Sequence, residues 1–184
     1  MSFDLKIRLP KGFTPPVPTV EMPPLKRDRD RTEEENLLWQ KKKYEQALER
    51  AKDSAWAPYS TSFPTRSMVL IAEVFRRAGA TFSSSATSRD KKGATLPRGP
   101  GGEVDARKFG SNAGWLVNPP ECAFIAERLG AWLDGGGAVF QLADFSWDLT
   151  PAAKDKDDLK TRMFLYELSA FFSRAAQHGG VEVW

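Results

Sequence analysis

The chain has 184 residues, 41% of them hydrophobic and 28% charged, a balance that suits one globular core and excludes disordered and fibrous classes. A net charge of +3 is too small to imply polyanion binding by itself, so any electrostatic site must come from local clustering. The single cysteine, Cys122, excludes an internal disulfide, and no stretch approaches the roughly 20 apolar residues that cross a bilayer.

Phe3, Leu5, Ile7 and Leu9 alternate with Asp4, Lys6 and Arg8, which predicts a short strand ended by Pro10. The opening residues Met1 to Lys6 lack a basic region followed by an apolar run, so no secretory signal is expected and the expected location is cytoplasmic. From Pro10 to Pro24 the chain is proline-rich and reads as an extended segment in a polyproline-like path, a structural arm in preference to a linker or a PxxP-type ligand. Charge then rises from Lys26 to Asp53, with Leu37, Tyr44, Leu48, Ala51 and Ala55 at helical spacing. Glu33 to Glu35 stand early and Lys41 to Lys43 later, in the order that suits the helix dipole. One long helix from about Asp30 to Ala55 is predicted, narrow in its apolar stripe and mostly solvated. Trp39 lies off that stripe, either packed by the arm or exposed to a partner.

A second helix is expected from Pro64 to Ala78, burying Met68, Ile71, Ala72 and Phe75, with Gly79 in the left-handed position that ends it. A strand over Ala80 to Ser83 follows. From Ser83 to Lys108 serines, basic residues and the run Pro97-Arg98-Gly99-Pro100-Gly101-Gly102 predict a long mobile loop. Gly114-Trp115-Leu116-Val117 then reads as a strand feeding Asn118-Pro119-Pro120-Glu121. There Asn118 is a helix N-cap, Pro119 the first helical residue, and Glu121 the third position of a capping box. Cys122, Ile125, Ala126 and Leu129 face the core, and Gly135-Gly136-Gly137 ends the helix. Val139 to Leu149 fits helix and strand equally. The last helix is expected over Asp157 to Gln177, burying Leu159, Met163, Tyr166, Ala170 and Phe171, with Asp157-Asp158 at its cap. Val181 to Trp184 is a closing strand. The sum is an α+β fold: about four helices on a small sheet, with residues 1–25 as strand and arm and 26–184 as the domain.

Chemistry-bearing constellations are sparse. Cys122 and the one histidine, His178, suggest a dyad, but Cys122 lies on an apolar helix side and reads as a structural thiol, while His178 suits a helix C-terminus. Three or four zinc ligands are missing, as are the phosphate-loop and nucleophile-elbow signatures, so neither a metal nor a cofactor is expected. Gly110-Ser111-Asn112-Ala113-Gly114 places asparagine where an elbow needs a nucleophile. Ser60-Thr61-Ser62 looks like the Ser-Thr-Ser strand of ADP-ribosyltransferases, yet the glutamate-rich turn that family needs is missing. Asp144 with Asp148 has no partner motif. Arg89, Lys91, Lys92 and Arg98, with Arg107 and Lys108, are candidate phosphate contacts. Trp39, with Arg27, Arg29 and Arg31 upstream, forms the candidate protein-binding surface, since tryptophan and arginine dominate interface energetics.

The stretch Gly114-Trp115-Leu116-Val117-Asn118-Pro119-Pro120-Glu121-Cys122 resembles the Gly-Trp-x-Val-x-Pro-x-Glu-Cys segment of small uncharacterised bacterial proteins, and the ending from Phe171 to Trp184 is similar to their tail. The resemblance covers the C-terminal third to half and implies an orphan or immunity-type protein encoded beside bacterial toxins. The expected function is a non-catalytic protein-binding module that occludes a toxin's functional surface. A nucleic-acid accessory protein using residues 89–108, and an enzyme whose site is assembled from scattered carboxylates and arginines, stay open as rivals.

Overall fold

The computed structural model describes residues 2–24, 32–83, 96–110, 114–135 and 154–184. The chain divides into two compact units, one formed by residues 1–10 with 59–184 and the other by residues 11–58.

In the larger unit four strands form an antiparallel sheet: β1 (Ser2–Ile7), β2 (Ser60–Pro64), β5 (Trp115–Val117) and β6 (Val181–Val183), in the order β2-β1-β6-β5. Register explains the sheet's two characters. Leu5, Val183 and Trp115 align in one row and Ile7, Val181 and Val117 in another, and all six are buried. The row between them, Lys6, Glu182 and Leu116, points to the opposite, wetter face. The period-two pattern seen in the sequence is therefore a one-sided sheet, and its buried face carries the core.

Helices α2 (Thr65–Arg77), α3 (Pro119–Asp134) and α4 (Lys154–Ala176) supply most of the rest of that core. Helix α2 buries Met68, Ile71, Val74 and Phe75, so Val74 takes the place expected of Ala72, which is half-buried. Phe75, Phe109 and Phe172 meet edge-to-face with centroids 5.2 to 6.2 Å apart, joining α2, the 3-10 turn Ala106–Phe109 and α4. Helix α3 buries Cys122, Ile125, Leu129 and Leu133 against α4, where the Ser169 hydroxyl donates to the Ala126 carbonyl at 3.1 Å.

Helix α4 is phased differently from expectation. Met163, Tyr166 and Ala170 are exposed, while Leu165, Leu168, Phe171, Phe172 and Ala175 are buried. Residues 163–172 are apolar on most sides, so two stripes compete, and the one richer in leucine and phenylalanine buries more surface. The helix also starts at Lys154, which puts Asp157 and Asp158 inside it rather than at its cap.

The stretch expected to be loop over 83–108 is partly built. Residues 84–95, with Arg89, Lys91 and Lys92, lie outside the described residues, as do Ser111 to Ala113 and the ambiguous segment with Asp144 and Asp148. From Leu96 onward the chain is anchored: Leu96 and Val104 are buried, and β4 (Val104–Asp105) pairs in parallel with β3 (Thr81–Phe82). Composition misleads here because glycines and prolines surround a few well-placed apolar residues.

Two helix-to-strand joints use glycine alike. Gly79, at φ +66°, ends α2 before β3, and Gly180, at φ +86°, ends α4 before β6. A Cβ at Gly180 would overlap the Val117 carbonyl oxygen, so this joint presses on the point where β5 turns into α3.

In the smaller unit, α1 (Glu33–Trp56) starts a few residues after the expected Asp30, at a capping box that Thr32 forms with Glu35. The Thr32 hydroxyl accepts from the Glu35 amide at 3.2 Å and the Glu35 carboxylate accepts from the Thr32 amide at 2.7 Å. The arm lies along this helix. Phe13 packs edge-on to Trp56, and the Gln40 side chain donates to the Pro23 carbonyl at 2.7 Å, so arm and helix run in opposite directions. Sixteen helical residues span about 24 Å and ten polyproline-like residues about 31 Å, so an extended arm has the reach.

Candidate functional site

The surface of α1 was expected to be polar around one tryptophan. Asn36 is buried, its side-chain amide donating to the Thr32 carbonyl at 3.0 Å, and Ala51 and Ala55 are buried further on. Leu37, expected in the buried stripe, is instead 52% exposed, and Leu38 beside it is 68% exposed. The displacement follows from Asn36 turning inward at the capped first turn, which rotates the adjacent leucines outward. Met22 on the arm is 60% exposed. Of the eight large hydrophobic side chains left exposed among the described residues, five belong to residues 11–58: Val17, Met22, Leu37, Leu38 and Trp56. Trp39 lies between the two expectations for it. It is half-buried, with the Lys43 ammonium one turn on at 5.6 Å from its ring centroid. Arg27, Arg29 and Arg31 lie outside the described residues.

A second constellation sits beneath the α3 N-terminus. Asn118 caps the helix as expected: its side-chain oxygen accepts from the Glu121 amide at 3.0 Å, and Glu121 accepts from the Asn118 amide at 2.8 Å. Glu121 also meets a residue that sequence reasoning assigned elsewhere. Lys108 was a candidate phosphate contact, yet both Lys108 and Glu121 are only 2% exposed. The Lys108 ammonium donates to both Glu121 carboxylate oxygens, at 2.8 and 2.6 Å, and to the Leu116 carbonyl at 2.8 Å. All three ammonium hydrogens are thereby used, and the pair locks the 3-10 turn to β5 and α3. Arg107 is likewise committed, its guanidinium clasping the buried Asp105 carboxylate at 2.6 to 3.0 Å. Lys108 cannot serve an external phosphate while these bonds hold, and the Arg107 charge is neutralised by Asp105. No spacing rule joins positions 108 and 121, so only the capping role of Glu121 was legible.

Cys122 is fully buried and its thiol donates to the Val117 carbonyl at 3.3 Å. Burial, with the Glu121 carboxylate nearby, pushes the thiol up to about 12, so it stays protonated at neutral pH. His178 stands at the end of α4, its ring edge-on to Tyr59 at 5.9 Å. Ser60, Thr61 and Ser62 occupy the edge strand β2. On the surface of α2, hydrogen bonds from Arg76 and Arg77 hold the Glu73 carboxyl down to about 2. Among the described residues no three histidine, cysteine or acidic side chains gather as a metal-binding group. No helix among them is long and apolar enough to cross a membrane.

Of the expected phosphate contacts, Arg98 is the described one whose guanidinium has no acceptor among the described residues. Its guanidinium lies 5.3 Å from the centroid of Phe124, and that of Arg128 lies 5.0 Å from the same ring. Arg128 was not singled out from the sequence, because a lone arginine one turn after Phe124 carries no motif. Comparison with protein-family models, curated proteins and solved structures returned no match to the chain.

Proposed function

We propose that the protein is a non-catalytic protein-binding module whose contact surface is carried by residues 11–58. The observation that supports this reading is the concentration of exposed apolar side chains there, headed by the adjacent Leu37 and Leu38. Large apolar groups flanked by charge are what interface centres use, and Lys41, Lys42, Glu33 and Glu34 provide the polar rim. Trp39 sits at the edge of that surface as a half-buried anchor under the Lys43 ammonium. Within this reading the partner is a bacterial toxin, and the module acts by covering the toxin's functional surface. The likeness of the Gly114 to Cys122 segment to small bacterial proteins of immunity type suggests that partner class.

The test is a paired capture and binding experiment with Leu37→Ser/Leu38→Ser. Both leucines are exposed, so the melting temperature should hold while affinity for a stoichiometric protein partner falls by at least about 2 kcal/mol. A partner that binds the variant as tightly as the parent chain would remove residues 11–58 from the interface. Growth protection against a cognate toxin, lost in the same variant, would establish the immunity role.

A further inference from the structure

We propose a second binding site, independent of the apolar surface on α1, in which Arg98 and Arg128 hold the phosphodiester backbone of a nucleic acid. The site begins with a turn that is fixed at both ends. Leu96 is buried before it and Val104 after it. Inside it the Gly99 amide donates to the Glu103 carbonyl at 2.9 Å and the Gly102 amide to the Gly99 carbonyl at 2.9 Å. Gly102, at φ +93°, brings the backbone down onto Phe124, whose ring a Cβ there would meet at 3.3 Å. Arg98 is thereby carried by a built turn, and its guanidinium is laid over the Phe124 ring. Arg128 reaches the same ring from α3, four residues beyond Phe124. Two cations distant in sequence converge on one aromatic.

Neither guanidinium has a hydrogen bond or ion pair among the described residues, in contrast to Arg76, Arg77, Arg107 and Lys108, which are all committed to carboxylates. The carboxylates beside the site are engaged or turned elsewhere. Glu103 accepts from the Gly101 amide at 2.8 Å, and Glu127 lines the groove between α3 and α4. Stacking on Phe124 leaves the in-plane N–H groups of each guanidinium free and restricts its rotamers, which lowers the entropy lost on binding an oxyanion. Both arginines are exposed and Phe124 is half-buried, so the site is open rather than enclosed. An open pair of positioned cations suits a backbone of repeated phosphates running across it, whereas a small phosphate ligand needs enclosure. The sequence pI of about 9.0 adds a favourable long-range term.

The experiment measures fluorescence anisotropy of a short labelled oligonucleotide, single-stranded and duplex, with the full chain across a salt series. Binding should weaken steeply with salt. Arg98→Ala/Arg128→Ala should bind at least about tenfold more weakly at low salt and flatten the slope of log affinity against log salt by about two, with an unchanged melting temperature. Lys41→Ala/Lys42→Ala removes the same charge from α1 and should leave binding intact, as should Leu37→Ser/Leu38→Ser. Three results would overturn the proposal: equal losses in the two charge-removal variants, undiminished binding by Arg98→Ala/Arg128→Ala, or no oligonucleotide binding by the parent chain. A polyglutamate peptide that binds tighter than the oligonucleotide and is lost with Arg98→Ala/Arg128→Ala would reassign the site to an acidic protein. Full competition by dilute inorganic phosphate would reassign it to a small ligand.

Discussion

Lys108, Glu121 and Cys122 show how much one environment changes what a side chain can do. A lysine read as a surface cation is buried and fully hydrogen-bonded, because the 3-10 turn before Gly110 points it inward at the capping glutamate. Its partners make it expensive to remove. Lys108→Met leaves the Glu121 carboxylate buried without its counter-ion and should lower stability by about 3–5 kcal/mol. Asn118→Ala removes only a cap acceptor and should lower it by about 1 kcal/mol. Denaturant titration of both variants checks this order, and equal losses would mean that the buried pair adds little. The neighbouring thiol gives a pH signature. An unfolded cysteine ionises near 8.5, whereas Cys122 in the fold is pushed up to about 12. Between those values the unfolded chain releases a proton that the folded chain keeps, so stability falls as pH rises, by about 1.4 kcal/mol per unit from this group. Cys122→Ala should remove that part of the alkaline slope, measured by denaturation at a series of pH values.

The elements that the sequence made legible are those whose signals are local. Asn118-Pro119-Pro120-Glu121 predicts a helix start from chemistry confined to four residues, and the structure has that start with both capping bonds. Gly79 ends α2 in the left-handed conformation for the same kind of reason. The face of α4 was not legible, since apolar residues surround the helix and the choice between Met163-Tyr166-Ala170 and Leu165-Leu168-Phe172 is made by the partners, α3 and the sheet. Leu96 and Val104 were hidden among glycines and prolines, and their burial depends on β3, which lies on the far side of residues 84–95. The joint at Gly180 is a sharper case. Its positive φ would be strained for any other residue, and its hydrogen atom faces the Val117 carbonyl and Asn118. Gly180→Ala should therefore destabilise by more than about 2 kcal/mol, well beyond the effect of Gly79→Ala, where a Cβ meets open space. Thermal melts of the two variants separate conformational strain from steric overlap.

For the molecule as a whole, the sequence indicated the class, α+β with helices on a small sheet, and the structure has that class. The candidate surfaces were only half legible. Trp39 pointed to α1, but Leu37 and Leu38 became visible as exposed groups only once the register of that helix was fixed by Thr32 and Asn36. Arg98 pointed to the turn over Phe124, but Arg128 needed α3 in place beside it. A juxtaposition of distant segments does not show in a linear pattern, and the pairing of Arg98 with Arg128 over Phe124 is of that kind.

Strand order carries a further consequence, for the route by which this sheet is made. β1 pairs with β6 along its inner edge, and β6 also pairs with β5, so the first and last strands are neighbours at the sheet's centre. The ladder cannot close around any early hairpin, since its two central members enclose nearly all of the chain between them. Closing so large a loop is entropically slow, and until β6 arrives the hydrophobic rows of β1 and β5 stay open to other chains. During synthesis β1 must therefore wait, unpaired on that side, for residues made long after it. Refolding from denaturant should show helix signal recovering before the near-ultraviolet signal of the packed aromatic side chains, and a chain shortened at Gly180 should keep helix content while losing the cooperative unfolding transition.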